Sequence, residues 1–220
     1  MPSISNEDDP VMLTLYSHPD SGNCYKPRLL LAKLGRPFRH VTVNSVTGET
    51  RSADFLAKNP NGKVPLLELD DGRLLAESNA MLLYLGEGTR FVPEDTYQRA
   101  LVYQWLFFEQ YSHEPYVAVR RALTIYPERA KEATPEKMAS TLEGGMKALR
   151  VMEAQLAKTA FLVSDTLTVA DIALFAYTQD AAIAGFDMSQ FPHVENWLGR
   201  VRVDPGHVPM EWLGDDGSGL

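Results

Sequence analysis

The order of apolar and polar residues changes partway along the chain. In the first part, short apolar runs that suit strands alternate with helical stretches and with loops rich in Gly, Pro, Asn and Asp. We predict strands at residues 11–16, 38–43, 64–69 and 73–75, and helices at 23–34, 52–58 and 79–85. The turn Asp70-Asp71-Gly72 predicts a hairpin, and Ser78 is placed to cap the third helix.

Residues 86–95 contain Gly, Thr, Pro and acidic residues, which predicts a linker. Only helical patterns follow, at residues 96–123, 135–158, 169–184 and 193–201. We expect disorder at residues 1–10 and 214–220. The order strand, helix, strand, helix, strand, strand, helix is the thioredoxin arrangement. We therefore predict an α/β thioredoxin-like N-terminal domain at residues 10–86 and an all-α helical C-terminal domain at 96–212.

Composition and charge narrow the class of protein. The chain has 220 residues, 45% of them hydrophobic, which suffices for two small domains with a proper core. Its net charge of −8 argues against nucleic acid as a partner, because phosphate binding needs a basic face. The polar, acidic start and the lack of a long apolar run predict a cytoplasmic protein that binds no membrane. The five histidines lack metal-ligand spacing, so we expect no metal.

The tetrapeptide Ser21-Gly22-Asn23-Cys24 lies where the first strand meets the first helix. A serine there cannot form a disulfide, but its hydroxyl can donate to a ligand's thiolate beside the helix N-terminus. Lowering a thiol pKa from ~8.5 to ~6.5 takes about 2.7 kcal/mol. One hydrogen bond to a charged group supplies roughly 1.5–3 kcal/mol. The alternative, that Ser21 and Asn23 only cap the helix, stays open here.

Two further motifs suggest a site for a small peptide-like ligand. Pro65 begins a strand after Lys63-Val64, where a residue without an N–H is tolerated. In the thioredoxin-like fold this proline is characteristically cis, which leaves the Val64 backbone free to pair with a ligand. Glu77-Ser78 opens the third helix, where the hydroxyl and helix N-terminus suit a carboxylate and Glu77 suits an ammonium group.

A fourth motif is assigned to folding. Thr168-Val169-Ala170-Asp171 precedes an apolar run and has the form of a capping box, with Asp in place of the usual Glu. Thr168 would accept the N–H of Asp171, and Asp171 would accept the N–H of Thr168.

Together these motifs make the chain resemble a soluble glutathione transferase over residues 11–210. Ser21-Gly22-Asn23 is similar to the hydroxyl residue, spacer and asparagine of a bacterial group with disulfide-bond reductase activity, often called the nu class. The resemblance implies glutathione as co-substrate, with Ser21 and Asn23 as the catalytic residues at its thiol. The glutathione-binding residues it implies are Lys63, Val64, Pro65, Glu77, Ser78 and, as a weaker candidate, Arg51. The capping box also matches one in the family's helical domain.

The activity implied is conjugation of glutathione to small electrophiles, as in detoxification, by a homodimer. The alternatives are a glutathione-dependent disulfide reductase or peroxidase, and a non-catalytic binding protein of the same fold. Because ligand sites often lie between domains, we expect the electrophile pocket on the long helix after the linker. The candidates there are Tyr111, His113, Glu114, Tyr116 and Arg120.

Some positions depart from related classes. Asn79 stands where delta-type relatives often have arginine, and Cys24 is followed by Tyr25 instead of the proline of omega-type enzymes. We therefore expect Cys24 to be a helix-core thiol that faces the sheet. Tyr16 lies near the place from which tyrosine-type transferases activate glutathione, and it is the alternative partner of the thiol.

Overall fold

The computed structural model describes residues 12–214. The predicted disordered start and residues 215–220 of the predicted tail lie outside the described residues. The N-terminal part contains all seven predicted elements in the predicted order. They are β1 (Thr14–Ser17), α1 (Gly22–Leu34), β2 (Arg39–Thr42), α2 (Ala53–Lys58), β3 (Leu66–Glu68), β4 (Leu74–Ala76) and α3 (Ser78–Gly86).

The four strands form one mixed sheet in the order β2-β1-β3-β4. β1 runs parallel to β2 and antiparallel to β3, with Leu15 opposite Leu67. Because side chains alternate across a strand, Leu15 joins the large core that contains residues of α1 and α3. The neighbouring Tyr16 points to the other face and packs with Leu66 and Phe55 of α2. The sheet therefore lies between two helical layers, which is the thioredoxin-like arrangement.

The C-terminal part consists of helices. They are α4 (Thr96–Phe108), α5 (Glu114–Ile125), α6 (Pro135–Leu156), α7 (Val169–Thr178) and α8 (Pro192–Val203). None of the helices formed by residues 12–214 is both long and apolar enough to cross a membrane. The predicted combination of an α/β thioredoxin-like part and an all-α part is confirmed.

The single helix predicted at 96–123 is wrong. A π-helical segment, Glu109–His113, separates α4 from α5. The N–H of Glu114 donates to the carbonyl of Glu109, five residues earlier instead of four. Pro115 follows at once and has no N–H to offer the preceding turn, so regular α-helical bonding cannot continue there. Pro115 was the sequence signal for this interruption.

Helix α7 joins the two parts, because it contacts α1 and α3 of the N-terminal part as well as α4, α5 and α8, and every one of its residues is buried. Its Asp171 carboxylate accepts the backbone N–H of Thr168 at 2.8 Å, as the capping-box prediction required. It also accepts the N–H of Leu162 and the indole N–H of Trp197, both at 2.9 Å. The motif thus links α7 to the preceding loop and to α8, which supports its assignment to folding.

Candidate functional site

A cavity of about 100 Å³, called the small cavity below, lies where the N-terminal turns of α1 and α3 face the π-helical segment. It brings together most of the residues predicted from the sequence. Its lining residues are Asn23, Asn59, Lys63, Val64, Pro65, Glu77, Ser78, Gln110 and Glu114. Asn59 and Gln110 were not predicted. Lys63 supplies a positive charge to a cavity whose other ionisable residues are both acids.

The turn before β3 presents backbone groups to the small cavity. The Val64–Pro65 peptide bond is cis, as expected. The buried amide of Asn59 donates to the carbonyl of Lys63 at 2.7 Å and fixes the turn. Within residues 12–214, the N–H and C=O of Val64 form no hydrogen bond. Both groups are therefore available to a ligand.

The start of α3 differs from the prediction, because Glu77 occupies the N-cap position and Ser78 is the first helical residue. Glu77 has a φ of 68°, and it is the only non-glycine residue with positive φ among residues 12–214. Such a backbone costs roughly 1–3 kcal/mol and is typical of ligand sites. Its side chain makes no capping hydrogen bond. The carboxylate is therefore not needed to begin the helix.

Asn23 makes contacts with three elements. Its backbone N–H donates to the Tyr177 hydroxyl on α7 at 3.1 Å. Its side-chain oxygen accepts the Ser78 hydroxyl at 3.3 Å, and its side-chain NH₂ donates to Glu114 Oε1 at 3.3 Å. Burial, and then the nearby Glu109 charge, raise the pKa of the Glu114 carboxyl.

A fully buried ion pair lies behind the small cavity and was missed by the sequence analysis. Lys26 of α1 and Glu109 of the π-helical segment approach to 2.9 Å between Nζ and Oε1. Burial acts to raise the pKa of Glu109, but the charge and hydrogen bond of Lys26 outweigh it, so the pKa is lowered. A single acid within the apolar run of residues 105–111 was the available signal.

The ion pair connects to the cavity through its neighbours. Lys26 Nζ also donates to Ser78 Oγ at 3.4 Å and to Asn79 Oδ1 at 3.3 Å. Glu109 Oε2 accepts the side-chain NH₂ of Asn79 at 3.0 Å and that of Gln110 at 2.7 Å. The first turn of α3 is therefore tied to both α1 and the C-terminal part.

Ser21 lies outside the small cavity. Its hydroxyl accepts the N–H of Cys24 at 3.3 Å and caps α1, as the simpler interpretation of this residue required. It also lines a larger cavity of about 430 Å³ between the two parts. This large cavity is lined by His18, Asp20, Ser21, Ser45, Val46, Ala118, Arg121, Ala122, Tyr126, Glu128, Arg129, Glu132 and Tyr177.

The other predicted candidates lie apart from both cavities. Arg51 donates to the carbonyl of Asn61, and Arg120 donates to the carbonyls of Ala184 and Met138. Tyr111 is 85% exposed and lies with Tyr116 beside α6. Of the electrophile-pocket candidates, only Glu114 faces either cavity.

Three further side chains named in the sequence analysis have other partners. Cys24 is fully buried, and burial raises the pKa of its thiol. Tyr16 donates to Glu68 at 2.7 Å and lines neither cavity. His113 is buried, with Nε2 2.9 Å from the Thr178 hydroxyl. In the part of the chain that the structure describes, no group of three His, Cys, Asp or Glu side chains could hold a metal ion.

Two family models match the sequence. Residues 11–87 match the model of the glutathione S-transferase N-terminal domain, and residues 118–200 match that of the glutathione S-transferase C-terminal domain. The first covers the sheet and the small-cavity residues of α1, the β3 turn and α3. The second covers α6 and α7 and most of α5 and α8.

Known proteins of this kind resemble the chain over most of its length. A glutathione S-transferase structure from Pseudomonas fluorescens is 47% identical, with a TM-score of 0.87, and covers 90% of this chain and 98% of its own. Glutathione S-transferase 3 of Zea mays is 32% identical over 88% of this chain and 90% of its own length. The disulfide-bond oxidoreductase YfcG of Escherichia coli is 28% identical over 94% of this chain and 99% of its own.

Proposed function

The chain belongs to the glutathione S-transferase family, and we propose that its small cavity binds glutathione and presents the thiolate to a small electrophile. The observation that carries the proposal is the convergence of three elements on one cavity. The unpaired backbone of Val64, the strained Glu77 and the amide of Asn23 all face it.

The chemistry of the lining suits a γ-glutamyl tripeptide. Val64 offers an N–H and a C=O for strand-like pairing with the ligand's peptide groups. Glu77 would hold the ammonium group, and the α3 N-terminus with Ser78 would hold the neighbouring carboxylate. Lys63 would reach the glycine carboxylate. Arg51 lines neither cavity, and we assign it no more than a secondary part at that end.

Asn23 and Ser21 would both donate hydrogen bonds to the thiolate of glutathione. Asn23 lines the small cavity, and the Ser21 hydroxyl, although it accepts the N–H of Cys24, keeps its own hydrogen for a thiolate. The spacing Ser21-Gly22-Asn23 supports a serine- and asparagine-type enzyme similar to the nu class. Cys24 and Tyr16 would not take part, since one is buried and the other donates to Glu68.

We assign the electrophile to the large cavity, in place of a pocket at Tyr111 and Arg120. Ser21 and Tyr177 line it, and Tyr177 bonds the backbone of Asn23, so the large cavity adjoins the thiol end of the glutathione site. Arg121 contributes charge, although Asp180 at 2.6 Å partly neutralises it. This lining suits an electrophile with a polar group.

The similarity to a disulfide-bond oxidoreductase favours a second candidate, glutathione-dependent reduction of disulfides or peroxides. The exchange would proceed through the thiolate of glutathione, because Cys24 is buried and its pKa is raised. A non-catalytic binding protein is disfavoured, because the glutathione-binding set of Lys63, Val64, Pro65, Glu77 and Ser78 is intact in the sequence.

We also propose a cytoplasmic homodimer with domains at residues 10–86 and 96–212. Large apolar side chains are exposed on both parts of the chain, including Leu74, Tyr84 and Phe107, the last at 70%. Such surface suits a two-fold interface. A sedimentation experiment at micromolar concentration would show a stable 24.5 kDa species if the dimer proposal is wrong.

Two measurements test the proposed function. Glutathione should raise the melting temperature by mass action, and S-methylglutathione should do the same because the peptide contacts remain. An activity panel with a chloronitrobenzene, a hydroperoxide and a glutathione mixed disulfide then separates transferase, peroxidase and reductase. The absence of any glutathione-dependent shift would contradict the proposal at its first step.

A further inference from the structure

The side-chain amide of Asn23 is held from two sides by residues of two different helices. Ser78 Oγ donates to its oxygen from α3, and Glu114 Oε1 accepts from its nitrogen at the start of α5, both at 3.3 Å. An ionised carboxylate can only accept hydrogen bonds. Glu114 therefore holds the Asn23 amide with its nitrogen toward α5 and its oxygen toward Ser78. An asparagine without such partners could adopt either orientation.

One N–H of this amide remains available. The side-chain NH₂ of Asn23 has two hydrogens, and Glu114 is its only acceptor among residues 12–214. Asn23 lines the small cavity and is partly exposed there. The second hydrogen is thus free for a ligand atom that accepts hydrogen bonds.

We propose that Glu114 is a positioning residue, which with Ser78 turns an N–H of Asn23 toward the thiol of bound glutathione. This role rests on the proposed function. Glu114 follows directly after the π-helical segment, where the backbone hydrogen bond spans one residue more than in an α-helix. Each residue rotates an α-helix by about 100°, so the extra residue changes the direction in which Glu114 points. The interruption of the long helix thereby brings Glu114 to Asn23.

The protonation state of Glu114 decides whether the side-chain amide of Asn23 is held in this orientation. Burial and the charge of Glu109 raise the pKa of Glu114, while Lys26, the Asn23 hydrogen bond and Lys63 lower it, with a net rise. Glu77 lines the same cavity, and on α7 the titratable neighbour is Tyr177, whose pKa is raised by burial and by the charge of Glu114. A protonated Glu114 can also donate to the side-chain oxygen of Asn23, so the amide nitrogen is no longer held toward Glu114. As pH falls through the Glu114 pKa, the thiol should lose its donor.

The ionised carboxylate has a second, opposing effect, because a negative charge near a thiolate raises the thiol pKa. Two substitutions separate orientation from charge. Glu114→Gln keeps an acceptor for Asn23 and removes the charge, whereas Glu114→Leu removes both. If orientation dominates, the Leu variant raises the pKa of bound glutathione by roughly 1 unit, the loss of one charge-assisted hydrogen bond. The Gln variant can still accept from the Asn23 nitrogen but, like protonated Glu114, can also donate to the Asn23 oxygen, so it raises that pKa less than the Leu variant does.

The test measures the thiolate absorbance of bound glutathione against pH in the full-length protein, with both variants made in the wild-type and Asn23→Ala backgrounds. Glu114→Leu should raise the thiol pKa only where Asn23 is present. A pKa that is unchanged or lowered by Glu114→Leu, or equally raised in both backgrounds, would overturn the proposal. The same holds if Asn23→Ala alone leaves the thiol pKa unchanged.

Two controls cover the cases in which glutathione does not bind or the Leu variant does not fold. Calorimetric titration shows whether wild type binds glutathione: no binding refutes the proposed function itself, whereas binding with an unresponsive thiol pKa refutes only the role of Glu114. If the Leu variant does not fold, the side-chain NH₂ resonances of Asn23 in the wild-type protein can be followed by NMR across the titration of Glu114. Resonances that do not respond would equally overturn the proposal.

Discussion

The ring of Tyr177 occupies the space that a side chain at position 22 would need. A Cβ built on Gly22 would lie 2.5 Å from Cε1 of Tyr177, closer than real Cβ contacts allow. The glycine between Ser21 and Asn23 therefore lets α7 of the C-terminal part pack directly on the first turn of α1. The same contact carries the hydrogen bond from the Asn23 N–H to the Tyr177 hydroxyl.

Gly22→Ala should lower the free energy of unfolding by about 1–3 kcal/mol, the usual cost of overpacking. Gly199 in α8 is the matched control, since a Cβ there meets nothing within 4 Å. Because alanine is the better helix former, Gly199→Ala should raise the free energy of unfolding by up to about 1 kcal/mol. Urea denaturation of both variants tests this, and equal effects would contradict the packing explanation.

Tyr177→Phe keeps the ring on Gly22 and removes the acceptor of the Asn23 N–H. A neutral hydrogen bond contributes about 0.5–1.5 kcal/mol, so kcat/KM for a glutathione-dependent reaction should fall roughly 2- to 10-fold. Tyr25→Phe serves as the control, because its hydroxyl donates to the carbonyl of Val208 and lines neither cavity. A similar loss of activity in the control would point to a general structural effect.

The order of strands and helices in the N-terminal part could be predicted, because period-two runs and Gly, Asn and Asp turns are local signals. So could the gathering of Asn23, Val64, Glu77 and Ser78, since each lies at or just before the start of an element whose place in the fold follows from that order. The contact between Asn23 and Tyr177 could not, because 154 residues separate them and only packing of the two parts brings them together.

The electrophile-pocket candidates show why helical periodicity is an insufficient guide. Glu114 and Tyr111 were grouped because they lie on one predicted helix, but the π-helical segment changes the direction of every residue after it. Glu114 then faces the small cavity while Tyr111 stays exposed beside α6.

Substitutions at Glu77 should have separate effects on glutathione binding and on folding stability. Glu77→Ala and Glu77→Gly both remove the carboxylate, and each should weaken glutathione binding roughly 10- to 100-fold, as expected for a lost charged hydrogen bond. Glycine adopts the φ of 68° without strain, so the Gly variant should be at least as stable as the Ala variant. Calorimetry and thermal unfolding check the two parts, and unchanged affinity would exclude Glu77 from the glutathione site.

The Lys26–Glu109 pair should matter for stability far more than an exposed pair. Lys26→Met leaves a buried carboxylate without its cation, which costs about 3–5 kcal/mol. Adding Glu109→Leu should restore part of that loss, because neither charge of the pair is then left buried. Lys147, paired with Glu143 on the exposed face of α6, is the control, and Lys147→Met should change little. Urea denaturation gives all three free energies of unfolding, and a double variant no more stable than Lys26→Met would be the contrary result.

His113 should make stability depend on pH. The Thr178 hydroxyl donates to the carbonyl of Leu174 at 2.6 Å, so the proton between His113 and Thr178 must lie on Nε2 of the imidazole. Nδ1 is then an unprotonated nitrogen without a partner in the described part of the chain, and burial lowers the pKa of His113 to about 4.

Because the unfolded His113 titrates at its ordinary pKa of 6.5, the unfolded state binds more protons than the folded state between pH 6.5 and about 4. The stabilisation from a neutral His113 is complete above pH 6.5 and falls with decreasing pH, by about 3 kcal/mol in the limit. In this window, His113→Gln should reduce the pH dependence of the unfolding free energy by an amount that corresponds to at most one bound proton. His193→Gln, at an exposed histidine, is the control for the change of residue type. If denaturation at several pH values gives the same slope for wild type and His113→Gln, the buried imidazole is not the group that titrates.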